Sequence, residues 1–272
     1  MRILVLGGTH FVGPHVVAGL VELGHDVTIF HSGETENPLS DCARHVHGRF
    51  GNFAEKLAQL LKLRPQVVVD VVPYHAKNGH ESIDFDNRDV ERAVLEAALP
   101  ITILRMPAIF GPGDPFSRLY RYVKRMDDAR PAILLDARVA SWRWSRGYVQ
   151  NVAQAVVLAA TEDRAAGRTY NVAPLCAHTE EEWVRLIAEV HGWRGSVISV
   201  APDDLPESMR SRLSMSQDIV LDSQRIRREL GYSETTPLRQ ALATTIDWER
   251  EHPPIGASFD YPSEDAFLAS IT

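Results

Sequence analysis

The chain has 272 residues, 44% apolar and 24% charged, with 29 Lys plus Arg against 36 Asp plus Glu, a net charge of −7. This ordinary globular composition suffices for one large domain, or a core with a smaller lobe, and it offers no long-range attraction to nucleic acid or an anionic membrane. No stretch approaches the ~20 apolar residues that span a bilayer, and the distant Cys42 and Cys176 make neither a disulfide framework nor a metal spacing. The expectation is a soluble cytoplasmic protein with no membrane partner and with nucleic acid disfavoured.

Ile3 to Leu6 is a short apolar run ending in Gly7-Gly8, as a buried parallel strand would. Val12, Val16, Leu20 and Leu23 then recur at helical spacing, and Gly24 ends that helix. Val27 to Phe30 reads as a second strand and Arg44 to Gly48 as a third. Phe53, Leu57, Leu60 and Leu61 mark a second helix. Val67 to Val72, continuous and β-branched, reads as a fourth strand buried on both faces. Val90, Ala93, Val94, Ala97 and Ala98 share a helical face, and Ile101 to Leu104 is another strand. Such alternation over 105 residues implies a Rossmann-like, doubly wound parallel α/β sheet.

The pattern changes after Gly111-Pro-Gly113. Leu119 to Met126 and Val152 to Ala160 look helical, and Thr169 to Val172 looks like a strand. Thr179 to Glu182 forms a capping box before Trp183, Leu186, Ile187 and Val190 on one helical face. Pro237 starts a last helix through Leu238, Leu242 and Trp248. The resulting organisation is a dinucleotide-binding core over 1–113 with a return of the chain at about 148–173. A smaller C-terminal α/β lobe on the substrate side follows over 114–250, then an irregular tail over 251–272.

Leu6-Gly-Gly-Thr-His-Phe-Val-Gly13 sits between the first strand and the first helix, the context a dinucleotide-binding turn requires. Gly7 permits a tight turn and Gly13 lets the helix pack closely on the sheet, so that the helix N-terminus offers N–H groups and a positive dipole end to a pyrophosphate. A plain strand-to-helix turn is the competing reading. At the end of the second strand, an acidic residue would hydrogen-bond the ribose of NAD. Here His31 and Ser32 stand instead, so the cofactor is NADP or NAD, with the balance toward NADP. His45 and His47 alternate on one strand face; no third ligand at metal spacing is evident, and no metal is expected. No Gly-x-Ser-x-Gly elbow is present, and Glu180 to Glu182 are explained by the helix dipole.

On these residues, Met1 to Gly33 resembles the start of an extended short-chain dehydrogenase/reductase of the NAD-dependent, nucleotide-sugar epimerase/dehydratase family. The family's Gly-x-x-Gly-x-x-Gly falls on Gly7, His10 and Gly13, with His10 in place of the middle glycine. An atypical subgroup, including chloroplast stem-loop RNA-binding proteins, carries Gly-Gly-Thr-Arg-Phe there, which Gly7-Gly-Thr-His-Phe11 resembles most. The resemblance implies a dinucleotide cofactor lined by Gly7, Thr9, His10, Phe11, Val12, Gly13, His31, Ser32, Asn52, Val72 and Pro73. His10 either reaches a phosphate or points to solvent.

Ile101 to Asp114, with Arg105-Met-Pro107, resembles the family's Arg-x-Pro segment. The catalytic Tyr and Lys that should precede it fall on Ile83 and Asn87, or in a shifted register on Phe85 and Asp89. Only Pro73 to Ser82 separates the fourth strand from that helix, so one helix–strand unit of the usual core is missing. Either the chain is a shortened, degenerate member or its sequence is closed over an omitted segment. Tyr74, His75 and Lys77 lie just past the fourth strand, where such folds place ligands, and Tyr74 is the best substitute acid, with packing as its competing role. Trp142 to Ala153 resembles the segment that closes over substrate, which makes Arg143, Arg146 and Tyr148 the candidates for a small, hydroxylated substrate of the nucleotide-sugar kind. Trp142 and Trp144 read better as packing. Three functions follow in order: an epimerase, dehydratase or reductase; a non-catalytic cofactor-binding or regulatory protein; and an RNA-binding protein, which the net charge disfavours.

Overall fold

The computed structural model describes residues 1–49, 53–71, 91, 92, 96, 99–211 and 215–271. The described elements run β1 (Arg2–Leu6), α1 (Val12–Glu22), β2 (Asp26–His31), β3 (Arg44–His47), α2 (Phe53–Lys62), β4 (Val67–Asp70), β5 (Ile103–Arg105) and β6 (Ala108–Phe110). They continue with α3 (Tyr120–Asp127), β7 (Ala132–Asp136), α4 (Ala137–Ser141), β8 (Arg146–Tyr148), α5 (Val149–Thr161) and β9 (Thr169–Asn171). The last are α6 (Glu180–His191), β10 (Ser196–Val200), α7 (Gln224–Leu230), α8 (Leu238–Glu251) and α9 (Tyr261–Ile271). Two compact units result. Unit 1 comprises Met1–Met106, Val149–Val172 and Ser223–Ser233; unit 2 comprises Pro107–Tyr148, Ala173–Asp222 and Glu234–Thr272. The core thus ends at Met106 rather than at residue 113, and it takes back 223–233, a segment placed in the lobe from sequence.

Unit 1 is built on a parallel sheet of order β3-β2-β1-β4, the order of a mononucleotide-binding half. β1 explains why its run is continuously apolar. Ile3 and Val5 pack with Val16, Val17 and Leu20 of α1 and Ala153, Val156 and Val157 of α5. Leu4 and Leu6 point the other way, with Phe30 and Leu60. Both faces of the strand are therefore covered, as a parallel sheet requires. α1 and α5 approach closely at Gly19, where a Cβ would stand 3.1 Å from Val157 Cγ2. β5 pairs in parallel with β9, also within unit 1. One expectation fails here: β4 is not buried on both faces, because Val68 is 55% exposed and Asp70 is exposed, with only Val69 buried. Among the described residues β4 is an edge strand, and the run that follows it (72–90) lies outside them. The missing helix–strand unit and the helix over Val90 to Ala98 fall largely there too.

Unit 2 pairs β7 with β10 and β6 with β8, all in parallel. Around them, Tyr122, Val123 and Met126 of α3, Trp183, Val184 and Ile187 of α6, and Leu242 and Ile246 of α8 are buried. The capping box forms as expected: Glu182 N–H donates to Thr179 Oγ1 at 3.1 Å and Thr179 N–H to Glu182 Oε2 at 2.8 Å. The tail is not irregular throughout, since α9 spans Tyr261–Ile271. Its Glu264 is buried against Arg125 and Arg130, a tertiary anchor that the composition of the tail does not announce.

Unit 2 also buries a carboxyl completely. Glu249 Oε1 accepts from Leu119 N–H at 3.2 Å, while Oε2 is buried with no hydrogen-bond partner among the described residues. Burial, with Asp114 adding repulsion, pushes this carboxyl up to about 8. The folded chain holds the proton up to that pH while the unfolded chain releases it from about pH 4.5, so native stability falls as pH rises between the two. Glu249→Gln removes this titration. Relative to wild type, the variant should gain about 1–3 kcal/mol on going from pH 5 to pH 8.5, read from urea unfolding midpoints. An unchanged difference would place the ionisation elsewhere.

Candidate nucleotide-binding site

The turn between β1 and α1 is tight because three glycines allow it. Gly7 has φ 89° and its N–H donates to Phe30 O at 2.9 Å. Thr9 N–H folds back onto Gly7 O at 2.9 Å, and Gly13 N–H meets His10 O at 3.0 Å. A Cβ on Gly13 would lie 2.8 Å from Gly7 O and 2.9 Å from two Gly8 atoms, all of them backbone. One on Gly8 would lie 2.8 Å from Val17 Cγ2 and 2.9 Å from Ile29 Cγ2. α1 begins at Val12, so its first N–H groups and positive dipole end stand at this turn. His10 occupies the family's middle-glycine place without needing positive φ; that conformation falls on Phe11, at φ 50° and ψ −99°. A non-glycine residue held there carries strain of about 1–3 kcal/mol, a feature that concentrates at ligand-binding turns. The His10 side chain is exposed.

The loop after β2 is tied to the same turn. Thr9, 5% exposed, hydrogen-bonds Thr35 between hydroxyls at 3.0 Å, and Ser40 Oγ donates to Gly8 O at 2.8 Å. His31 is buried rather than displayed toward a cofactor. Its Nδ1 accepts from Gly33 N–H at 3.3 Å and its Nε2 stands 2.9 Å from His45 Nδ1, while His45 Nε2 stands 3.0 Å from Ser40 O. Since a backbone N–H only donates and a carbonyl only accepts, the tautomers are assigned: His31 carries its proton on Nε2 and gives it to His45, which carries its own on Nε2 and gives it to Ser40. Burial, then His45 and His47, hold the His31 imidazole below its ordinary pKa; Glu36 opposes them. Ser32 is exposed and its Oγ accepts from Glu34 N–H at 3.2 Å.

Two sequence readings change here. A carboxylate does stand near the end of β2: Glu36 reaches 3.9 Å from His45 Nδ1 and 3.8 Å from His47 Nε2. A third imidazole also joins His45 and His47, because the parallel register sets His31 opposite His47. Glu36, Thr35 and Ser40 were missed because a loop supplies them, and no local period marks loop residues.

In unit 2, Arg146 is buried and ion-paired with Glu180, its guanidinium 4.9 Å from the Trp183 ring centroid. Glu180 also takes Arg121 and the Tyr122 hydroxyl, so it is more than a dipole partner at a helix start. Arg143 is exposed, donating to Ala177 O at 2.9 Å with Glu182 at 3.5 Å. Tyr148 is buried beside Phe110, and burial raises its hydroxyl pKa. Trp142 and Trp144 pack on each other at 5.2 Å, and Trp142 Nε1 donates to Gln217 O at 2.9 Å. Asn52, Val72, Pro73, Tyr74, His75, Lys77, Ile83, Phe85, Asn87 and Asp89 lie outside the described residues.

Residues 87–173 match the NAD dependent epimerase/dehydratase family. The uncharacterized protein y4nL of Sinorhizobium fredii (strain NBRC 101917 / NGR234) is 26% identical over 200 residues, 65% of this chain and 55% of that protein, so the chain spans about half the length of this relative. A UDP-glucose 4-epimerase from Thermus thermophilus, in complex with NAD, superposes with a TM-score of 0.64 at 16% identity over 93% of this chain and 100% of that one. A dTDP-glucose 4,6-dehydratase from Bacillus anthracis str. Ames, in complex with NAD, gives 0.67 at 14% identity over 93% and 97%. At these identities the solved structures show the fold alone. Residues 87–173, which include the Ile101 to Asp114 segment, carry the resemblance to the NAD dependent epimerase/dehydratase family.

Gly13→Ala pushes a methyl group into backbone that has no rotamer to yield. It should cost about 1–3 kcal/mol in stability, measured by thermal or urea unfolding. Gly24→Ala, at an open position with φ 80°, separates steric crowding from backbone strain. If Gly13→Ala is neutral, the close approach of α1 to the turn is wrong.

Proposed function

We propose that unit 1 binds NAD at the Gly7–Gly13 turn and that the chain serves a hydroxylated, nucleotide-linked small molecule without the family's Tyr/Lys pair. The observation that carries this reading is the Gly13 contact. A helix N-terminus held against a strand-end turn with no room for a Cβ leaves backbone N–H groups, and little else, to face a pyrophosphate. The parallel order β3-β2-β1-β4 supports it, as does the NAD carried by the two nucleotide-sugar enzymes of similar fold. The bound group would supply hydride transfer; the chain supplies the turn, the dipole end of α1 and the polar loop after β2.

The sequence leaned toward NADP because His31 and Ser32 replace the usual acid. Glu36 argues the other way. Its carboxylate stands beside the end of β2, where it would accept from a ribose hydroxyl and repel a 2′-phosphate. A non-catalytic, cofactor-binding role is the second reading, and Ile83 and Asn87 favour it, since neither can act as an acid or hold a ribose as Tyr and Lys do. Tyr74 is the substitute acid if chemistry occurs.

Titration of the full chain with NADH and NADPH by fluorescence tests the proposal. NADH should bind more tightly than NADPH, and Glu36→Gln should narrow the gap by about fivefold to tenfold, the effect of one nearby charge at a solvated site. Binding of neither cofactor would sink the nucleotide-binding reading. Incubating the NAD-loaded chain with UDP- and dTDP-hexoses then separates the two roles. An epimerised or dehydrated sugar product, read by mass spectrometry and NMR and abolished by Tyr74→Phe, identifies an enzyme, and unchanged sugars identify a binding protein.

A further inference from the structure

Three imidazoles and a carboxylate converge at the end of β2, on one side of the unit 1 sheet. His45 and His47 lie two residues apart on β3, and in the parallel register His31 of β2 is the partner of His47. Residues two apart on a strand, and register partners on adjacent strands, share a sheet face. One ring nitrogen from each histidine lies within 4.8 Å of the other two. The rings meet edge to face, with centroids 4.9 Å apart for His31–His45 and 4.7 Å for His31–His47. Glu36 stands at 3.8–3.9 Å from two of them.

We propose that His31, His45 and His47 bind one divalent cation of the zinc class, with Glu36 as the fourth ligand. A tetrahedral zinc with nitrogen ligands at about 2.0–2.1 Å sets them about 3.3 Å apart. The His31 Nε2 to His45 Nδ1 separation of 2.9 Å is already close to that edge, and the exposed His47 and Glu36 side chains are free to close the remainder. The shell behind the ligands is in place. His45 ligates through Nδ1 while its Nε2–H stays on Ser40 O, the backbone carbonyl that orients a metal-bound imidazole. Ser40 is in turn fixed by its hydroxyl on Gly8 O. Imidazole with one carboxylate is a donor set suited to zinc rather than to calcium or magnesium. The His31 ring proton moves from Nε2 to Nδ1, and the metal replaces two interactions, the 2.9 Å His31–His45 hydrogen bond and the long 3.3 Å contact from Gly33 N–H. A hydrogen-bonded histidine pair alone would account for His31 and His45, but it gives no reason for His47 and Glu36 to join them.

The proposal does not rest on the cofactor reading: Glu36 serves the metal or the ribose and not both at once, and metal binding is measured with no dinucleotide present. The metal-free full chain is titrated with ZnCl2 at pH 7.5 by calorimetry, and with Co2+ by visible absorption. One equivalent of zinc should bind with micromolar or tighter affinity, and Co2+ should give the intense bands of a tetrahedral site. His47→Gln, at a solvent-exposed position, should weaken zinc by about 100-fold and Glu36→Gln by about 10-fold, the range by which altered metal shells lower affinity. His252→Gln, outside the cluster, should change nothing, and circular dichroism checks that each variant is folded. No stoichiometric binding, or binding unchanged in both His47→Gln and His45→Gln, overturns the proposal.

Discussion

Gly13 stands so near the turn after β1 that a methyl group there would lie 2.8 Å from the Gly7 carbonyl oxygen, and this contact determines where α1 starts and which way it runs. From that start, Val16, Val17 and Leu20 fall over Ile3 and Val5 of the central strand. The same helix carries Gly19, whose lack of a side chain lets α5 lie against it. One steric constraint at a strand end therefore fixes the entry of a helix, the packing of one sheet face and the docking of a second helix from a distant part of the chain. It also leaves the backbone N–H groups of the turn for a ligand.

A second layer stiffens the turn from the side. Thr9 is held by Thr35, Gly8 by Ser40, and Ser40 by His45, so the loop after β2 and the first residue pair of β3 are stitched to the glycines. Each such bond contributes about 0.5–1.5 kcal/mol, modest alone. Together they remove the freedom that a 12-residue connection between β2 and β3 would otherwise have. The strained backbone at Phe11 is tolerated because its surroundings are fixed on both sides.

Local pattern made much of this legible. β1, α1 and β2 were visible because a buried parallel strand is apolar throughout and an amphipathic helix repeats every 3.6 residues. The capping box of α6 was visible because it is spelled in four consecutive residues. What failed was long-range. The pairing of His31 with His47 is a matter of register between strands 13 residues apart, and no periodicity states it. Glu36 comes from a loop. β4 reads as fully buried from its β-branched residues, yet Val68 is open, because burial depends on what neighbours a strand and composition does not record neighbours. The tail looked irregular from its Pro, Gly and Ser residues, which occupy the approach to α9 rather than most of the helix itself.

Unit 2 shows the same limit in electrostatic form. Arg143 and Arg146 looked equivalent as anion binders, since both are arginines in one aromatic-rich segment. Their surroundings separate them. Arg146 is buried on Glu180, between the Trp144 and Trp183 rings. Withdrawing it to meet a phosphate would leave Glu180 as a buried carboxylate short of one partner, a loss of about 3–5 kcal/mol for a broken buried pair. A new charged hydrogen bond returns only about 1.5–3 kcal/mol, so Arg146 stays where it is and sets the position of α6 instead. Arg143 faces water, and its 3.5 Å pairing with the half-exposed Glu182 is worth at most about 1 kcal/mol. Of the two, only Arg143 can exchange its partner for a ligand at a cost that ligand can repay.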